Sequence, residues 1–226
     1  EITYGGVARN IAENLQRMGD VSVYFCSAVG QDADGRAAAA SLSSVGVDVC
    51  GIITLGGMRT AAYLSILDRE GDMALAIAAM DILESISPER VRAMQAGLPG
   101  AQVVVLDANL SVETLKYCAE SFAGTPVFLD PVSVGKAERA KEILNRLHTI
   151  KPNRAEAEIL AGIKIETEED LPRAGELILK AGTKRVFISL GKAGVFYMDE
   201  NTSGKVRPPL AGDLVVARPP VVLRYP

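Results

Sequence analysis

One histidine, three scattered cysteines and no excess of basic residues narrow the options for this chain before any motif is read. With His148 alone, a zinc site or a Ser-His-Asp triad has little to work with. His148 lies in "RLHTIKP" beside a short apolar run and reads as structural. Cys26, Cys50 and Cys118 form no CxxC pair, and their number is odd, which fits a reduced, cytoplasmic protein. Lys and Arg total 24 against 28 Asp and Glu, a formal net charge of −4, which argues against a nucleic-acid surface. No apolar run reaches the roughly 18 residues of a membrane span. The chain opens on "EITYGGVARN", not on a basic and then apolar leader, and without a Met. The expectation is that a preceding segment is missing.

What is present suits a packed core. Of the 226 residues, 48% are hydrophobic and 23% charged, enough for one large α/β domain or two small ones. Residues 7–18, "VARNIAENLQRM", place Val7, Ile11, Leu15 and Met18 on one helical face, with Gly19 as the stop. "VSVYFCSAVG" reads as a buried strand and "DGRAAAASLSSVG" as a helix ended by Gly46. "TAAYLSILD" and "DMALAIAAM" around "REG" then signal a hairpin, an inserted flap or lid. Lid-forming strands are expected around residues 50–80.

From residue 101 the rhythm is regular. "AQVVVLDAN", "PVFLDPVS", "HTI" and "RVFISLG" read as strands. "SVETLKYCAESF", capped by Ser111, "KAERAKEILNRL", the stretch from Asn153 and "TEEDLPRAGELILKAG" read as helices. Strands spaced by helices imply right-handed βαβ units and a mainly parallel sheet. In such sheets ligands bind beyond the carboxyl ends of the strands. Asp107, Asn109, Asp130, Asn153, Ser189 and Gly191 all fall at or just after expected strand ends. The absence of repeats, low-complexity stretches and linkers predicts a single domain, residues 1–226, carrying a lid.

Three stretches could carry chemistry, and each has a plain structural reading beside it. "KPNRAEAEIL" has Pro152, then Asn153 as an N-cap, with Glu156 at the position that completes a capping box. "YGGVARN" puts Gly5 and Gly6 before a helix with Asn10 in its first turns. Paired glycines let a ligand approach amides at a helix N-terminus, and an amide side chain suits vicinal hydroxyls. A tight turn with a polar helix face would look the same. "SLGKAGVFY" places Ser189, Gly191 and Gly194 around a turn between two strands, which an ordinary hairpin also explains.

"GGVARNIAENLQRMG", "DPVS", "KPNRAEAE" and "SLGKAGVFY", in that order, resemble the ribokinase-like (PfkB-type) carbohydrate kinases over roughly residues 4–207. The resemblance implies a three-layer α/β/α fold with a mainly parallel sheet, a β-lid over the sugar, and ATP-dependent phosphorylation of a sugar or nucleoside hydroxyl with Mg²⁺. It places Gly5, Gly6, Asn10 and Asn109 on the substrate's hydroxyls. Asn153, Ser189, Gly191 and Gly194 fall on the nucleotide, and Glu156 on the metal. Thr60, Tyr63 and Asp81 fall in the lid region that would decide the substrate, and the lid would also allow a homodimer.

Two parts of the family pattern are not found. An N-terminal strand bearing a sugar-binding Asp should precede "GGVARN", and a Gly-Ala-Gly-Asp segment opening a helix should supply the anion hole and the base. The chain runs "VRPPLAGDLVVARPPVVLRYP" instead. Asp213 in "LAGD" is a poor candidate for that base, since Leu210 stands in place of the first Gly and the residues after Asp213 are strand-like. The chain is therefore expected to be truncated at both ends and to lack robust turnover as it stands. Another kinase of the same family, or a sugar-binding remnant without phosphate transfer, remains an alternative.

Overall fold

The computed structural model describes residues 3–67, 73–98 and 100–207. Asp213, the tail around it and the "REG" turn lie outside the described residues. The order begins with α1 (Val7–Met18), β1 (Tyr24–Gly30), α2 (Ala33–Ser44), β2 (Asp48–Leu55) and the hairpin β3 (Ala62–Leu67) and β4 (Met73–Ala79). A 3-10 turn, Asp81–Ser85, leads to α3 (Pro88–Gln95). Then come β5 (Val104–Asp107), α4 (Val112–Ser121), β6 (Val127–Asp130), α5 (Val134–Lys141), β7 (Thr149–Ile150), α6 (Arg154–Ala161), α7 (Asp170–Lys180), β8 (Arg185–Ser189), β9 (Val195–Asp199) and β10 (Ser203–Val206).

Six strands form one sheet in the order β10-β9-β8-β7-β6-β5. β5 to β8 run parallel, and β9 and β10 close one edge as antiparallel strands. Asp107 stands opposite Asp130, so these parallel strands end in register. β1 and β2 form a separate parallel pair, and among the described residues β3 and β4 pair only with each other. The main core holds Leu115, Leu129, Ile143, Ile150, Ile178 and Ile188, all at most 2% exposed. A smaller cluster of Ala12, Leu42 and Val47 lies under α1 and α2.

The hairpin forms as the alternation predicts, but it begins at Ala62, not near residue 50. Residues 48–55 instead pair in parallel with β1. Gly51 masks that strand in the sequence. It sits against Cys26 where a Cβ would collide with the sulfur, so close approach of two backbones demands a weak strand former. α3 was not anticipated either, although Ser87 as N-cap followed by Pro88 is a recognisable helix start. The helix expected over residues 136–147 stops at Lys141, and a 3-10 turn follows at Leu144–Arg146. The break lets Ile143, Leu144 and Leu147 all turn inward, and the Leu144 carbonyl accepts both the Leu147 amide at 3.2 Å and the Thr183 hydroxyl at 2.9 Å.

The face expected on α1 is only half-buried, and Met18 is 64% exposed. Arg9 and Ala12 are the buried positions. Arg9 reaches Ser41 at 2.8 Å and Glu13 at 3.0 Å, so a charged residue covers the joint between α1 and α2. His148 stacks on Phe128 with ring centroids 5.5 Å apart, and burial lowers its pKa. It precedes β7, on the side of the sheet away from the strand ends.

The burial pattern separates two apolar residues that the sequence treats alike. Ile150→Ala, at the centre of the sheet, is expected to cost about 2–5 kcal/mol. Met18→Ala is expected to stay within about 0.5 kcal/mol. Urea unfolding of both variants checks this; equal losses would contradict the assignment of the core.

Candidate active site

The carboxyl ends of β5, β6, β7 and β8 carry, in spatial order, Asp107, Asp130, the Lys151–Asn153 segment and Ser189. Adjacent strands lie about 4.8 Å apart, so the row is about 14 Å long, the span of an extended small molecule.

At one end, α6 starts from a reciprocal capping box. Asn153 Oδ1 accepts from the Glu156 amide at 2.9 Å, and Glu156 Oε2 accepts from the Asn153 amide at 2.8 Å. Glu156 is 4% exposed. Burial raises its pKa, opposed by the Asn153 amide; the nearby Asp130 pushes it the same way as burial, and Lys151 the other. Lys151 pairs with Asp130 at 3.0 Å. Among the described residues nothing donates to the second oxygen of Glu156. The Ser189 amide donates to the Pro152 carbonyl at 2.9 Å, and Asn153 bridges to Ser189 across the strand ends. After Ser189 the chain makes a 3-10 turn, Gly191–Ala193, before β9, and Gly191 and Gly194 both have positive φ. Asn153, Glu156, Ser189 and the glycine turn are thus neighbours.

At the other end, α1 lacks a side-chain cap of its own. Gly6 is its N-cap at φ 114°, a conformation that requires glycine. The Ala8 amide finds its acceptor far away in sequence, on Asp107 Oδ2 at 3.2 Å. The other Asp107 oxygen accepts the Asn109 amide at 3.0 Å. The start of α1, which carries Gly5, Gly6 and Asn10, is thereby tied to the end of β5 beside Asn109, and the Asn10 side-chain oxygen accepts from the Arg9 guanidinium at 3.3 Å. Lys136 of α5 donates to Asn109 Oδ1, which fixes the Asn109 side chain. Burial lowers the Lys136 pKa, against the pull of Asp107. Arg139 holds the Asn109 and Leu110 carbonyls. Asp107, Lys136 and Arg139 escaped the sequence reading as partners because they act on residues 27 to 99 positions away.

Between the two ends Val132 has φ 69°, an unusual value for a β-branched residue. Its amide is held by Asp130 Oδ1 at 2.8 Å. Of the three hairpin-region residues, Thr60 lies at the root and donates to Asp32. Tyr63 is 55% exposed on β3, and Asp81 opens the 3-10 turn after β4.

The residues present fit a hydrated Mg²⁺. Glu156 offers a desolvated carboxylate with a free oxygen, and Asp130 adds negative charge nearby. No group of three or more His, Cys, Asp or Glu side chains able to hold a metal occurs among the described residues. One or two carboxylates completed by waters and phosphates is the arrangement Mg²⁺ favours.

A mainly parallel α/β sheet with these groups along its carboxyl edge, and a hairpin set apart from that sheet, is the architecture of the ribokinase-like fold. The pfkB family carbohydrate kinase model matches residues 1–216, and the chain belongs to that family. It is 38% identical over 199 residues to a pseudouridine kinase of Escherichia coli, covering 88% of this chain and 63% of that one. A Clostridium perfringens structure described as a sugar kinase superposes with a TM-score of 0.77 at 38% identity, over 91% of this chain and 65% of that one. An Arabidopsis thaliana ribokinase solved with ribose and ATP has the same fold, with a TM-score of 0.72 at 23% identity, over 90% of this chain and 66% of that one. The chain thus spans less than two thirds of the length of these relatives.

The raised pKa of Glu156 gives a stability test. Burial disfavours its charged form, so its folded pKa lies above the unfolded value, and stability is lost as pH rises through the folded pKa. Glu156→Gln keeps an acceptor for the Asn153 amide and removes the titration. The variant is expected to be no less stable than the wild type at neutral pH, and its advantage to vanish in acid. Melting curves from pH 4 to pH 8 measure this; a variant destabilised at every pH would contradict it.

Proposed function

We propose that the protein is an ATP-dependent kinase that phosphorylates a nucleoside hydroxyl, with pseudouridine as its acceptor and pseudouridine 5′-phosphate as product. The observation that carries the reading is the row of groups along the carboxyl edge, one end suited to hydroxyls and the other to a metal and phosphates. The hydroxyl oxygen attacks the γ-phosphorus, the bond to the β,γ-bridging oxygen breaks, and ADP leaves. The hydroxyl proton passes to a base that is not assigned among the described residues. Such a transfer depends mainly on positioning and charge neutralisation.

In this reading Gly5, Gly6, Asn10 and the nitrogen of Asn109 hold the sugar hydroxyls. Lys136 orients Asn109 by engaging its oxygen. Asn153 turns its free amide nitrogen to the phosphates, and the turn from Ser189 to Gly194 borders the nucleotide. Glu156 would hold a hydrated Mg²⁺, which neutralises phosphate charge when bound. The capping box fixes that carboxylate before any ligand arrives, so one motif serves both helix and chemistry. The pseudouridine assignment is supported by the identity to the E. coli enzyme. It is supported also by "AYLSILD", "AAMDI", "VFLDPVS" and "LHTIKPNRAEAEIL", which together look like that branch of the family.

The test compares kcat/KM for pseudouridine, uridine and ribose with Mg-ATP in the full-length protein. Pseudouridine is expected to lead, and ribose outperforming it would sink the assignment. In the same assay Glu156→Gln is expected to lower turnover by about 10- to 100-fold, the usual effect of removing a group that acts on a metal through its waters.

The hairpin supports a homodimer in this proposal. Leu64 pairs with Ile77 and Ile66 with Leu75, so the four share one face, and each is about half exposed. A second copy covering this face would remove it from water. Leu64→Glu is expected to shift sedimentation from dimer to monomer; a wild type that sediments as a monomer at all concentrations would exclude the dimer.

A further inference from the structure

The hairpin leaves the body of the protein through residues 56–61, and that root is tied by one carboxylate. Asp32 Oδ1 accepts the Thr60 hydroxyl at 2.6 Å and the Gly35 amide at 2.8 Å, while Oδ2 accepts the Thr60 amide at 2.8 Å. The Thr60 hydroxyl oxygen in turn accepts the Gly30 amide at 3.0 Å. Three elements meet here: the end of β1, the start of α2 and the root of the hairpin. The approach is close enough to exclude side chains. A Cβ on Gly35 would stand 2.6 Å from the Gly30 carbonyl and 2.7 Å from Thr60 Oγ1. The Thr60 hydroxyl and the two amides hold the Asp32 carboxyl at about 2, so it is ionised under all working conditions. Hydrogen bonds to an ionised acceptor are roughly twice as strong as neutral ones.

The hairpin's return leg ends elsewhere. Met80, just after β4, lies with its sulfur 3.8 Å from Lys136 Nζ, and the same ammonium holds Asn109. A shift of the root therefore displaces a hairpin whose far leg abuts the residues gathered for the sugar. We propose that Asp32 is a positioning residue for the acceptor: by clamping Thr60 it fixes the root of the hairpin, and so sets how tightly the lid closes the sugar end of the site. Thr60 thereby acts through its bond to Asp32 and not by contact with the base of the nucleoside. This rests on the kinase reading, but the clamp can be judged without it.

Two measurements on the same variants separate the two ideas. Asp32→Asn puts an NH2 against the donors of Thr60 or Gly35. Thr60→Val removes the hydroxyl, and Thr60→Ser retains it. The first readout is amide NMR relaxation dispersion. Asp32→Asn and Thr60→Val are expected to raise it across β3 and β4 and to leave β8 and β9 unchanged, with Thr60→Ser like the wild type. The second is calorimetric binding of pseudouridine to the full chain. Asp32→Asn is expected to weaken it about tenfold, the scale of one lost charge-assisted bond, with Thr60→Ser near wild type. In turnover the change should fall on KM and leave kcat within a few fold. Unchanged hairpin dynamics in Asp32→Asn, or a change spread equally through β8 and β9, would overturn the clamp. A mobile hairpin with undiminished pseudouridine affinity would overturn its role in positioning. If the wild type binds no pseudouridine, the substrate assignment fails, and the relaxation data alone decide whether the clamp exists.

Discussion

Glu156 is 4% exposed, and at that depth its charged form loses water that its surroundings replace only in part, so its pKa stays raised. The partial replacement comes from the backbone, through the Asn153 amide, and from Lys151, which also pairs with Asp130. That one arrangement dictates much around it. Asn153 must leave the strand direction to cap α6, so β7 can be only two residues long. The Pro152 carbonyl, left without a helical partner, takes the Ser189 amide and pulls the end of β8 alongside. The glycine turn is then delivered to the same edge.

The opposite end obeys the same logic with different atoms. α1 begins without a side-chain cap, and Asp107 answers its orphan donor from the neighbouring strand end. In both places a carboxylate at the carboxyl edge satisfies helix amides. The groups proposed to bind ligand are thus held by bonds the fold needs anyway, which would leave little ordering to a ligand.

Much of this was legible in the sequence because it is local. Residues at strand ends follow from the βα rhythm, and the Asn153–Glu156 box follows from a spacing of three. What stayed hidden was non-local or disguised. Gly51 concealed β2 because the strand needs a missing side chain where it meets Cys26. The burial of Arg9 upset the apolar face read for α1, since its stem and its bonds to Ser41 and Glu13 do the covering. The bonds from Asp107 to Ala8 and from Lys136 to Asn109 span 99 and 27 positions, and no periodicity reports them. Asp213 lies beyond the described residues, so the structure adds nothing to the sequence reading there.

Val132 carries one more consequence. Its left-handed backbone is separated from the ordinary regions by steric walls, so it cannot drift gradually toward them. Its amide rests on one oxygen of Asp130, while Lys151 occupies the other. Leaving the left-handed basin would break the first contact and redirect the start of α5, with Lys136 and Arg139 on it. The middle of the carboxyl edge is in that sense fastened like a latch and not held like a spring: its backbone offers no gradual path away from the position it occupies.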